Sequence, residues 1–258
     1  MPSDDASSDP RPPSAALAAW SPIRTRLRRD AFGIALATGA YAVSFGAISV
    51  ASGLDVWQTV ALSAVMFSGG SQFGLVGVVA GGGAPLAGAL TAVLLGVRNG
   101  LYGLRMAPLL RAGGWRRPAV AQLVIDETTA MALAGQQEAV DAGRPELADR
   151  AGRFGFFATG IALFTLWNLG TLIGALGAEW LPAPTVLGLD AAVPAAFLAL
   201  LAPRLRHGGP VVVALLAAAV AVAASPFVPV GIPVLLAALV GVVVGWVPNR
   251  LAGQDALR

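Results

Sequence analysis

Eight apolar stretches follow one another along the chain, at about 31–52, 56–81, 84–110, 119–135, 152–178, 185–203, 209–224 and 231–247. The connections between them are short and rich in Gly, Pro, Asp and Arg, such as Gly53-Leu54-Asp55, Gly81–Pro85, Arg111–Pro118 and Arg204–Pro210. Ala, Leu and Gly dominate the stretches and nothing alternates with period two, which predicts helices and argues against strands. A membrane span needs about 20 apolar residues. The expectation is therefore an all-α integral membrane protein, a polytopic helix bundle of six to eight spans.

Against this background a few polar positions stand out: Ser68-Gly69-Gly70-Ser71-Gln72, Arg98-Asn99, Asp126-Glu127, Asn168 and Asp190. Hydrocarbon offers no water to satisfy polar groups, so each needs a partner or an aqueous cavity and is a candidate pathway residue. The two adjacent glycines at 69–70 weaken a helix by about 1 kcal/mol each, and serine hydroxyls compete for backbone groups. A break there would expose N–H groups at a half-helix N-terminus, a device by which transporters hold a carboxylate. Small-residue helix packing is the alternative, although Gln72 adds a polar group that packing does not need. Arg98 lies about 15 Å of helix from either end of its segment, so it needs a partner, a carboxylate or a cavity: either Asp126 or Glu127 as a structural ion pair, or a substrate. If Asp126 and Glu127 are embedded, desolvation favours a protonated carboxyl and suits proton coupling; at an interface both are simply solvated. Asn168 suits a bond across helices, and Asp190 suits either a helix N-terminus or a site carboxylate.

Composition sharpens the class. The chain is 56% hydrophobic and only 12% charged, with a mean hydropathy of +0.73, where soluble domains carry about 25% charged residues. All 17 basic residues are Arg, which with a pI near 10.5 raises nucleic acid as a partner. The arginines, however, flank apolar stretches rather than lining one face, and read as topology determinants. With no Cys and a single His, His207, the chain has no thiolate nucleophile and no evident metal-ligand set. Neither a metal, a cofactor nor an enzyme is expected.

The chain divides into a disordered, basic-ended cytoplasmic tail at 1–29, a transmembrane transport domain at 30–248 and a cytoplasmic C-terminal tail at 249–258. Arg24, Arg26, Arg28 and Arg29 precede the first apolar run as in a signal peptide, but that run is long and another follows at once, so it reads as an uncleaved span. Arg placement puts both termini in the cytoplasm. One loop decides between two models. If all eight stretches span, Arg111, Arg116 and Arg117 fall outside; if 56–81 and 119–135 each dip in and return, those arginines fall inside. Two echoes, Gly53-Leu54-Asp55 with Gly188-Leu189-Asp190 and Gly83-Ala84-Pro85 with Gly208-Gly209-Pro210, suggest a weak internal repeat.

In order along the chain, Phe45-Gly46, Phe67-Ser-Gly-Gly-Ser-Gln-Phe73, Val97-Arg98-Asn99 with Tyr102, Ala107-Pro108, Asp126-Glu127-Thr128, Trp167-Asn168-Leu169 with Gly174, and Gly188-Leu-Asp190 leading to Pro194-Ala-Ala-Phe197 resemble the AzlC family. That family comprises large subunits of two-component branched-chain amino acid exporters. The resemblance implies export of branched-chain or similar neutral amino acids across the cytoplasmic membrane, driven by the proton motive force, beside a small hydrophobic AzlD-type subunit. It would make 68–72, Arg98, Asn99 and Asn168 substrate-binding, and Asp126, Glu127 and Asp190 proton-coupling. Where the family often reads Asn-hydrophobic-Arg-His, this chain has Gly96-Val97-Arg98-Asn99, and Ser68 and Ser71 replace residues that are commonly Ala. The rival from another class is a non-transporting assembly or receptor subunit whose polar residues merely lock helices together.

Overall fold

The computed structural model describes residues 13–180, 208–228 and 232–246, with three isolated positions at 198, 202 and 205. Among these residues regular structure is helical throughout. The order is α1 (Pro13–Ala51), α2 (Val56–Val65), α3 (Gly69–Ala80), α4 (Pro85–Leu110), α5 (Arg116–Gln122), α6 (Asp126–Asp141), a 3-10 turn at Pro145–Leu147, α7 (Ala148–Glu179), α8 (Gly208–Ala224) and α9 (Ile232–Trp246). Two stretches, Ala19–Ala51 and Pro145–Ala178, are long and apolar enough to cross a bilayer. Leu86, Leu90, Val93, Val97, Leu101 and Leu104 recur every three or four residues along one exposed face of α4. An outward apolar stripe of that length is costly in water and neutral in lipid.

The chain forms two compact units. One combines the residues up to Thr38 with Asn99–Leu166, and the other combines Gly39–Arg98 with the residues from Trp167 onward.

In the first unit α1 starts well before the apolar run at Ala31. Trp20, Ile23, Leu27 and Ala31 fall on one helical stripe and are buried with Met131, Ala139 and Ala151. The guanidinium of Arg150 lies 4.5 Å over the Trp20 ring, and Arg26 Nη1 donates to Glu138 Oε1 at 2.9 Å. Arg24, Arg28 and Arg29 remain exposed. The charged stretch expected to be a connection at 136–153 is likewise mostly helical, because its small residues pack while its charges point outward. A Cβ on Gly135 would lie 2.6 Å from the Ala151 carbonyl oxygen, and one on Gly152 would lie 3.0 Å from that of Ala132. These contacts run α6 antiparallel to the first half of α7.

In the second unit the latter part of α1 runs parallel to the latter part of α7 in backbone contact. Cβ atoms on Gly46, Gly170 and Gly174 would collide with the carbonyl oxygens of Thr171, Gly39 and Val43 respectively. α3 packs antiparallel on α4, with Gly74 against Thr91 and Leu95, and Gly88 against Leu75. α8 and α9 pack on each other.

Both apolar stretches that carry central polar residues are broken. Segment 56–81 separates into α2 and α3 at Met66–Ser68, and 119–135 falls across α5 and α6 with its break at Leu123–Ile125. The residue ahead of each second helix is extended, Ser68 at φ −157° and Ile125 at φ −137°. α3 folds back beside α2, since Gln72 Nε2 donates to the carbonyl oxygens of Ser63 at 3.2 Å and Leu62 at 3.4 Å.

Candidate functional site

The N-terminus of α3 is the centre of the site. Gln72 N–H donates to Ser68 O at 2.9 Å and starts the helical ladder, so the N–H groups of Gly69, Gly70 and Ser71 have no acceptor within the helix. Ser68, the N-cap residue, makes no side-chain cap; its Oγ lies 3.3 Å from Ser71 Oγ. The N-terminus therefore presents backbone donors and the positive end of a helix dipole at the tip of a folded-back pair.

Three side chains close around it. Arg98, from the middle of α4, brings Nη2 to 3.1 Å from where a Gly70 Cβ would stand. Trp167 on α7 covers Gly69, whose Cβ would lie 3.0 Å from the indole edge. Trp167 is 3% exposed and its indole N–H makes no hydrogen bond. Gln72 is fully buried, with its amide nitrogen on the α2 carbonyls and its Oε1 unpartnered. Glycine at 69 and 70 has a clear reason, since any side chain there would press on the Trp167 ring or the Arg98 guanidinium.

An aromatic cluster backs this tip. Phe45 lies 5.3 Å from Phe73 and 6.2 Å from Trp167 between ring centroids, and Tyr41 lies 5.1 Å from Phe73. The Tyr41 hydroxyl is buried without a hydrogen-bond partner. Ser63 Oγ donates to Thr171 Oγ1 at 3.1 Å and ties α2 to α7.

Of the residues the sequence singled out, Ser68, Gly69, Gly70, Ser71, Gln72 and Arg98 are brought together here. Asn168 is the half-buried neighbour of Trp167 on α7. Asn99 follows Arg98 but belongs to the other unit, half-buried with Oδ1 unpartnered. Asp126 and Glu127, half-buried, open α6 in that same unit, where carboxylates meet a positive dipole end. Thr128 Oγ1 accepts from the Ile125 N–H at 3.0 Å and donates to Leu123 O at 2.7 Å, which fixes that break. Asp190 lies outside the described residues. Trp167, an aromatic residue in an apolar stretch, is buried as packing would have it, and its covering of Gly69 also places it at the site; Tyr41 had no signal beyond its i,i+4 spacing from Phe45. Among the described residues no group of three or more His, Asp or Glu side chains could hold a metal ion.

The family model described as AzlC protein matches residues 33–181, more than half of the chain. The chain belongs to the AzlC family. No curated protein and no solved structure gives a match. The family match runs from within α1 to just past α7, so the α3 N-terminus, Arg98, Trp167 and the α6 N-terminus all belong to the part of the chain shared with other AzlC proteins. Membership makes this chain a membrane transporter-related protein, with its apolar helices in keeping.

Proposed function

We propose that this AzlC-family protein is a multi-pass secondary transporter of the cytoplasmic membrane that exports branched-chain or similar neutral amino acids without converting them, drives export with protons, and works beside a small AzlD-type subunit. One observation carries the reading: a guanidinium and an uncapped, glycine-lined half-helix N-terminus converge inside an apolar protein. Backbone donors, a dipole end and an Arg fork suit one ligand group, a carboxylate. Leu, Val and Phe surfaces around the break meet an apolar side chain, and a carboxyl among Asp126, Glu127 and Asp190 carries the proton. The outward apolar stripe of α4 supports a lipid-facing helix, and the Arg placement along the sequence favours a bundle of six to eight spans with both termini in the cytoplasm.

Counterflow of labelled leucine in proteoliposomes, with and without the small subunit, tests this. Arg98→Ala should lower leucine counterflow at least tenfold, and Arg98→Lys should restore only part of it, because an ammonium is a point charge where the guanidinium is a planar fork. An assembly subunit that merely locks helices would move no leucine in any combination. Unchanged counterflow in Arg98→Ala would remove the carboxylate site.

A further inference from the structure

The break before α3 and the break before α6 are 57 positions apart, and so are the ends of α2 and α5. The helices that precede them carry one motif at the same separation. Gly39, Phe45 and Gly46 on α1 correspond to Gly96, Tyr102 and Gly103 on α4. Burial repeats as well: Phe67 and Ser68 are buried, Gly69 and Gly70 half-buried, Ser71 and Gln72 buried, and the same sequence of states runs from Val124 to Thr129.

Packing registers agree residue by residue. Ser71 Oγ lies 3.5 Å from the Cβ position of Gly96, and Thr128 Cγ2 lies 3.3 Å from that of Gly160. Gly74 meets Thr91, and Met131 meets Gly155. The Leu75 carbonyl oxygen is 3.0 Å from the Cβ position of Gly88, and the Ala132 carbonyl oxygen is 3.0 Å from that of Gly152. In all three pairs the first member moves by 57 positions and the second by 64. The seven additional residues fall in the longer C-terminal part of α6 and the connection to α7. The three contacts in each pair follow from one helix register, so the finding is that two antiparallel helix pairs share the same register relative to their breaks. This spacing differs from that of the tripeptide echoes, one of which reaches 188–190, outside the described residues.

Connectivity fixes where each folded-back pair opens. The α2–α3 pair is joined to the C-terminal end of α1 and the N-terminal end of α4, and the α5–α6 pair to the C-terminal end of α4 and the N-terminal end of α7. One pair therefore opens at the start of α4 and the other at its end. Arginine follows the same division: the connections at 52–55 and 81–84 have none, whereas Arg111, Arg116, Arg117 and Arg144 surround the second opening.

We propose that α1–α4 and α4–α7 are two copies of one helix–hairpin–helix unit inserted in opposite senses, and that the two hairpins are the gates of the transport pathway, one for each membrane face. Their gating role rests on the transport reading above; their inverted duplication does not. The copies have diverged at the tips, where Gly69-Gly70 in the first correspond to Asp126-Glu127 in the second. The first tip is thereby neutral and the second acidic. Inverted repeats let one site open to either face by exchanging the conformations of the two halves.

Sidedness tests the duplication without any transport assay. The chain has no cysteine, and Trp57, Ala84, Trp115 and Ala142 are exposed at the four hairpin arms. Single cysteines there, labelled with an impermeant maleimide in cells and in inverted vesicles, should react in pairs, 57 with 84 from outside and 115 with 142 from the cytoplasm. Eight full spans would instead place 57 and 115 on one face and 84 and 142 on the other, and that result overturns the duplication. For gating, Gly74→Cys with Thr91→Cys and Thr128→Cys with Gly160→Cys place thiols within disulfide reach. Each oxidised pair should abolish leucine counterflow at least tenfold relative to its reduced form. Should a reduced form be inactive, the pairs 75/88 and 132/152 serve instead. Full exchange by a cross-linked protein overturns the gating role and leaves both the duplication and the transport reading standing.

Discussion

At the scale of single residues the break is held by Gln72. The buried Gln72 amide donates to the Ser63 carbonyl at 3.2 Å and reaches that of Leu62 at 3.4 Å, which also accepts from the Met66 N–H that caps α2. Gln72→Leu keeps the volume but strips the Ser63 carbonyl of this donor and leaves Leu62 with the Met66 N–H alone. We expect a loss of about 1–3 kcal/mol, read as a lower melting temperature of the purified protein, with the hairpin more open to protease. An unchanged melting temperature would assign those carbonyls to other donors. Gln72 was legible in the sequence because a polar side chain amid Phe, Val and Gly has few innocent explanations in hydrocarbon. Trp167 was not, because an aromatic ring in an apolar helix is accounted for by packing alone, and its second contact, on Gly69, exists only once α3 and α7 are placed together.

At the scale of elements, what shapes the second unit is backbone approach between α1 and α7. The glycines at 46, 170 and 174 admit the opposing carbonyl oxygens directly, an arrangement no side chain tolerates. Gly174→Ala should force the two helices apart and cost at least the 1–3 kcal/mol or so typical of overpacking, measured as thermal stability in detergent. The same change at Gly177, with no heavy atom within 4 Å of its Cβ position, should be neutral; equal effects at both would refute close packing as the cause. Helix existence was readable from hydropathy, but ends were not. The 136–153 stretch looked like a connection because Glu138, Asp141, Arg144, Glu146, Asp149 and Arg150 lower its hydropathy. It is largely helical because Gly135, Ala139, Ala151 and Gly152 give it a small-residue face that hydropathy averages away. The start of α1 was hidden for the same reason, its stripe of Trp20, Ile23 and Leu27 being diluted by four arginines.

At the scale of the whole molecule, the proposed export against a gradient requires that proton movement and substrate movement share one cycle, and Asp126 and Glu127 at the tip of the second hairpin are the proposed carriers. Asp126→Asn and Glu127→Gln each keep shape and remove the ionisable proton. If one of them is the carrier, its amide variant should lose leucine flux driven by a pH gradient at least tenfold while retaining counterflow, which moves substrate both ways and needs no net proton. Loss of both fluxes would instead mark a structural or substrate contact, as expected if that acid pairs with a guanidinium. In that case removing the acid together with Arg98 should recover folding better than removing Arg98 alone, since an unpaired buried charge costs more than none. Retention of full gradient-driven flux in both single variants would take proton coupling away from α6 and pass it to Asp190, where Asp190→Asn should then show the same split between the two fluxes.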